Sequence, residues 1–192
     1  MHNFARQPNG EAWLFLNLNS QCLVSERPDA GFMNALFEQT GIAPQRVVIE
    51  ILESEIDDRQ YLRSLIRHFR QLGCLIAIDD FGAGHSNFDR IWELEPDIVK
   101  IDRSMIRGAG TSSRVERILT GVVSLIHEAG SLVVIEGVET EREALVAIAA
   151  NADMIQGFYF AKPQQRITPN LKFAEDIDHL LKIQQRQRFK NS

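Results

Sequence analysis

Apolar runs punctuate this chain at fairly even intervals: Trp13–Leu18, Arg46–Ile51, Cys74–Asp79, Asp97–Ile101, Ser131–Glu136 and about Met154–Phe158. Several are continuous rather than alternating, as in "LVVIE" and "CLIAID", the pattern of parallel strands covered on both faces. Helical periodicity fills the gaps. In "RQYLRSLIRHFRQLG", Leu62, Leu65, Ile66, Phe69 and Leu72 share one face, and Gly73 is placed to stop the helix. In "SSRVERILTGVVSLIHEAG" the stripe is Val115, Ile118, Leu119, Val122, Leu125 and Ile126, with Ser112 or Ser113 as cap and Gly130 as stop. Thr140 and Glu143 have capping-box spacing at the start of "TEREALVAIAAN". A last helix is expected over Asn170–Arg188, followed by a solvated end. Six strand–helix units define an α/β fold, and both an open doubly wound sheet and a (β/α) barrel satisfy the pattern.

Each strand run carries a polar residue at or near its C-terminal end: Asn17, Glu50, Asp79 with Asp80, Lys100, Glu136 and Gln156. In parallel α/β folds these ends converge on one face, where active sites lie. Glu50, Asp79, Asp80 and Glu136 bring four negative charges there, which two divalent cations would balance. Oxygen donors without cysteine, and with no histidine required, favour Mg²⁺ or Mn²⁺ over Zn²⁺. Adjacent acids at one strand end suit a two-metal site that activates water for attack at phosphorus, with Lys100 to position that water or stabilise developing charge. Gly82 and Gly84 let the following loop turn sharply.

Composition narrows the picture only a little. With 192 residues, 44% hydrophobic and 24% charged, the chain is of ordinary globular make-up and long enough for one sizeable domain. A net charge of -5 argues against DNA or RNA as partners. Cys22 and Cys74 read as small buried hydrophobes, and no apolar stretch reaches membrane-spanning length, so the expected location is the cytoplasm.

"LFLNLNSQCL", "VVIEILESEI", "DDFGAGHSNF", "DIVKIDRSMI", "IEGVET" and "QGFYFAKP" together resemble, in order and spacing, the signature segments of EAL-domain cyclic-di-GMP phosphodiesterases over residues 13–163. The resemblance implies a TIM-type (β/α)₈ barrel variant that uses two Mg²⁺ or Mn²⁺ ions to open cyclic di-GMP to linear pGpG. It implies metal ligands at Asn17, Glu50, Asp79, Asp80 and Glu136, a water contact at Lys100, and support of the metal–water site by Gln156. Glu53 would anchor the loop after Asp80. Leu52, His85 and Ile135 depart mildly from the family pattern, and His85 reads as loop packing.

The Glu-Ala-Leu segment that names the family is expected ahead of Asn17 and is not found there. With six strand runs, the sequence reads as a single EAL-type domain over 1–192 that lacks its first two strands and their helices. The open edge of Trp13–Leu18 would invite a homodimer or another covering partner. Two functions stay open: a phosphodiesterase whose turnover here is well below that of an intact domain, and a module that binds cyclic di-GMP or a protein without turnover.

Overall fold

The computed structural model describes residues 12–18, 30–52, 59–84 and 88–164, together with 179, 180 and 182. They fall into two compact units: residues 1–81 with 86–99, and residues 82–85 with 100–192. All six expected strands are present.

The first unit contains β1 (Leu14–Leu18), α1 (Ala30–Thr40), a 3-10 turn (Pro44–Arg46), β2 (Val47–Leu52), α2 (Arg59–Leu72), β3 (Leu75–Phe81), α3 (Asp89–Leu94) and the start of β4 (Ile98–Ile101). Strand order follows chain order, and β1–β2 and β2–β3 pair in parallel. β2 is buried along almost its whole length, as a run that is apolar but for Glu50 predicts. The stripe of α2 behaves as expected: Leu62, Leu65, Ile66 and Phe69 are buried and Leu72 is partly so. They form one core with Ile49, Ile51, Ile76 and Ile78 of the strands and Met33 and Phe37 of α1. Cys74 joins that core, and burial pushes its thiol up to about 11, so it is an inert packing group. Cys22 lies outside the described residues.

The second unit contains the end of β4, α4 (Arg103–Ala109), α5 (Ser113–Glu128), β5 (Leu132–Ile135), α6 (Glu141–Ala149) and β6 (Met154–Ile155). Strand order again follows chain order, and β5 and β6 are parallel. Neither unit shows the order reversal of a doubly wound sheet, which leaves barrel-type succession. The Thr140–Glu143 capping box is complete: Thr140 Oγ1 accepts from the Glu143 N–H at 3.2 Å, and Glu143 Oε2 accepts from the Thr140 N–H at 3.0 Å. Ser112 holds the N-cap position of α5, but its side chain makes no capping bond.

Two expectations need correction. The buried line of α5 is Leu119, Val123 and Ile126, whereas Ile118 and Leu125 are 50% and 48% exposed. The apolar arc is wider than the face the helix buries, and its centre lies at an i, i+4, i+7 line that omits those two residues. β6 ends at Ile155 rather than near Phe158. Gly157 there lies against the backbone of Val138, and the chain turns away. A literal Glu-Ala-Leu tripeptide does occur, at Glu143-Ala144-Leu145, but it belongs to α6, where Glu143 closes the helix cap and Ala144 is buried. The expected Asn170–Arg188 helix lies outside the described residues except for His179, Leu180 and Lys182, which are helical.

Two glycines test this packing in opposite directions. A Cβ on Gly157 would stand 2.0 Å from the Val138 carbonyl oxygen, and one on Gly121 in α5 would meet nothing within 4 Å. Gly157→Ala is expected to cost about 2–3 kcal/mol. Gly121→Ala is expected to add about 0.5–1 kcal/mol. Urea unfolding of both variants checks the pair.

Candidate functional site

In the first unit, strand alternation decides which side chains can do chemistry. Ile49 and Ile51 of β2, with Ile76 and Ile78 of β3, point into the helix-covered core, and Leu14, Leu16 and Leu18 of β1 pack against it. Alternation therefore sends Asn17, Glu50 and Asp79 to the opposite sheet face. Register places them within two residues of one level. Asn17 is directly opposite Glu50, and Glu50 is opposite Ala77, so Asp79 is two residues further along β3. Those steps correspond to ~4.8 Å between strands and ~6.6 Å along one. Glu50 is only 5% exposed and Asp79 7%.

Asp80 breaks the alternation. Its φ of 58° is left-handed, a region that non-glycine residues seldom adopt and that aspartate tolerates better than most. Its N–H donates to Asp79 Oδ1 at 3.0 Å, and carboxylate oxygens of the two residues lie within 4.8 Å. Two consecutive acids are thus held close together at the end of β3. Glu53 and His85 lie outside the described residues.

In the second unit, the Lys100 ammonium meets Glu136 Oε1 at 2.7 Å, and Lys100 is 4% exposed. Backbone bonds fix the surroundings. The Glu136 N–H donates to the Ile101 carbonyl at 3.0 Å, and the Gln156 N–H to Ile135 at 2.9 Å. The Gln156 carbonyl accepts from the Val138 N–H at 3.1 Å. The Gln156 side chain is exposed and borders a cavity of ≈ 340 Å³ also lined by Arg103, Glu139, Phe158 and Lys162. Arg107 Nη2 holds both Glu139 oxygens, at 3.1 and 3.2 Å.

Those four additional lining residues were not singled out by sequence reasoning. Their signal was their place inside "KIDRSMI", "IEGVET" and "QGFYFAKP". Asp102 was also passed over. It caps α4 by accepting from the Ser104 N–H at 2.8 Å. Burial alone would raise its carboxyl, but hydrogen bonds from Ser104 and Arg103, with the Arg103 charge, outweigh that and hold it below its usual 3.8.

The donors fit a hard divalent cation. The first unit supplies one amide oxygen source and three carboxylates on neighbouring strand ends, with no thiol among them. Buried carboxylates require counter-charge. Among the described residues, the buried polar or charged side chains are Glu50, Asp79, Lys100 and Ser131. Three of those four belong to the set predicted from the strand ends.

Comparison with known proteins gives the architecture a family. The EAL domain model matches residues 1–163. The chain belongs to the EAL domain family. The cyclic di-GMP phosphodiesterase RocR of Pseudomonas aeruginosa is 33% identical over 142 residues, 73% of this chain and 36% of that protein. The cyclic di-GMP phosphodiesterase PdeF of Escherichia coli is 31% identical over 166 residues, 86% of this chain and 22% of that one. The chain spans about a third or less of the length of these curated relatives. Klebsiella pneumoniae BlrP1, in a manganese and cyclic-di-GMP complex, superposes with a TM-score of 0.77 at 30% identity, covering 84% of this chain and 42% of that one. Bacillus subtilis YkuI, an EAL-domain protein complexed with substrate cyclic di-GMP and calcium, has a TM-score of 0.79 at 23% identity. It covers 98% of this chain and 48% of that one, and supports the fold.

Two variants probe the electrostatics of this EAL domain. Lys100→Met leaves Glu136 without its ammonium and is expected to cost about 3 kcal/mol, read by urea unfolding with chelator present. Asp102→Ala is expected to cost about 1 kcal/mol near neutral pH. A depressed carboxyl contributes in full above its unfolded value and loses that contribution as pH falls through its folded value. The stability curves of Asp102→Ala and the parent should therefore converge only below pH 3.8.

Proposed function

We propose that this chain is a metal-dependent phosphodiesterase module that hydrolyses cyclic di-GMP to linear pGpG. The observation that carries the reading is the burial of Glu50, Asp79 and Lys100 at strand ends built almost wholly of apolar residues. Charged side chains buried at strand ends are characteristic of functional sites. Named relatives with this activity, and solved EAL domains holding cyclic di-GMP with manganese or calcium, supply the substrate and the cation class.

In this reading Asn17, Glu50, Asp79, Asp80 and Glu136 hold two Mg²⁺ or Mn²⁺ ions. When bound, the ions lower the pKa of water and neutralise charge at the scissile phosphodiester. Asp79 and Asp80 present their carboxylates close together, with a left-handed backbone at Asp80. Lys100, fixed by Glu136, donates hydrogen bonds toward the attacking water and the developing negative charge. Gln156 supports the same site through its amide.

No helix among the described residues is long and apolar enough to cross a membrane. A cytoplasmic module fits that observation and the nature of the substrate. The outer edge of β1, which among the described residues pairs with β2 alone, is where a second copy or another partner would add a strand.

Incubating the purified 192-residue chain with cyclic di-GMP and Mn²⁺ or Mg²⁺ should yield pGpG. Asp79→Asn should lower the rate at least about a hundredfold, because it removes a charged donor from the site. Turnover that persists in chelator, or in Asp79→Asn at the parent rate, would refute the two-metal reading. Binding of cyclic di-GMP without pGpG would assign the chain to the class of non-hydrolysing binding modules.

A further inference from the structure

One construction occurs twice, at the strand ends remote from the candidate site. Asp97 stands one residue before β4. Its N–H donates to the Ile76 carbonyl at 2.9 Å, and its Oδ2 accepts from the Ile76 N–H at 2.8 Å. Asp153 stands one residue before β6. Its N–H donates to the Val133 carbonyl at 3.1 Å, and its Oδ2 accepts from the Val133 N–H at 2.7 Å. In each case a single aspartate captures both backbone groups of one residue on the neighbouring strand. His127 Nε2, in the last turn of α5, also meets Asp153 Oδ2 at 2.8 Å.

The spacing links these clamps to the chemistry. Lys100 is three residues after Asp97, and Gln156 three after Asp153. On the clamped partners, Asp79 is three residues after Ile76, and Glu136 three after Val133. Three residues of strand are ~10 Å. A slip of one residue would break both bonds of a clamp and turn the strand's side chains to the other face. Such a slip is resisted weakly by β6 itself, which has two residues, neither of them fully buried. Most of its register must therefore come from outside the strand.

We propose that Asp97 and Asp153 are positioning residues. Each is a carboxylate clamp that sets the register of its strand, and so the level at which Lys100 or Gln156 emerges. The catalytic part of this inference rests on the phosphodiesterase reading above, and the register part does not.

The test combines backbone amide exchange by NMR with steady-state kinetics on the whole chain. In Asp153→Ala, the Val133 and Gln156 amides should both exchange at least about tenfold faster, since a charge-assisted bond is lost. Its kcat for cyclic di-GMP with Mn²⁺ should fall about tenfold or more, with KM within about twofold of the parent. Asp153→Asn, whose amide oxygen can still accept from Val133, should restore both readouts. Asp97→Ala and Asp97→Asn should behave alike, read at Ile76 and in kcat. If Asp153→Ala does not fold, Asp153→Glu, which displaces the oxygen by one methylene, carries the same expectation. Loss of Val133 protection with Gln156 protection and kcat per folded molecule unchanged would reduce Asp153 to a purely structural tie and overturn the proposal. A parent chain without turnover would sink the phosphodiesterase reading, and the Gln156 amide would still decide whether the clamp sets register.

Discussion

The pairing register of β1, β2 and β3 is the constraint on which the candidate site depends. Parallel strands offer their side chains with a period of two, so a residue belongs either to the helix-covered face or to the other face. Ile49, Ile51, Ile76 and Ile78 commit one face to a dry core with α2. That commitment forces Glu50 and Asp79 to the opposite face and makes any one-residue slip prohibitively costly, because it would drive carboxylates into the core. The apolar half of the strand pattern thus holds the acids in place. Core packing and site geometry are two consequences of the same register.

The two units solve the burial of charge differently. In the second, Lys100 and Glu136 neutralise each other at 2.7 Å, an arrangement that is stable once formed and expensive to break. The first places Glu50 and Asp79, both buried, and Asp80 at two adjacent strand ends. Carboxylates so placed repel one another, and donors or cations offset the repulsion. A site of this kind gains affinity for divalent ions from the same repulsion that weakens it alone. Stability and function pull against each other here, as they commonly do at sites built from buried polar groups.

Much of this was legible in the sequence, because the strands are continuous apolar runs that end in a polar residue. Asn17, Glu50, Asp79, Lys100, Glu136 and Gln156 could be picked out by that rule alone. The Thr140–Glu143 cap was equally readable, since it needs only local spacing. The short helices α1, α3 and α4 were implied by the strand–helix succession but could not be given bounds. Their 11, 6 and 7 residues are too few, or too weakly patterned, for a periodicity to stand out. In α5 the sequence shows how wide the apolar arc is, but the neighbours that cover only part of it are distant in the chain. For the same reason Asp97, first in its apolar run, and Asp153, just ahead of one, looked ordinary. Their significance lies in a bond to a residue about 20 positions earlier, 21 for Ile76 and 20 for Val133.

Asp80 shows why local rules fail at this site in particular. A regular strand would have placed Asp79 and Asp80 on opposite faces, with one acid in the site and the other against the helices. The left-handed turn at Asp80 costs of order 1 kcal/mol for a non-glycine residue. Asparagine would adopt that conformation as readily, and glycine more so, so backbone preference does not explain the residue there. Only the carboxylate distinguishes aspartate from those alternatives. The strained backbone is therefore best understood as the means of bringing a second negative charge beside Asp79. In the proposed two-metal reading, that second charge is what the site would use to hold cations.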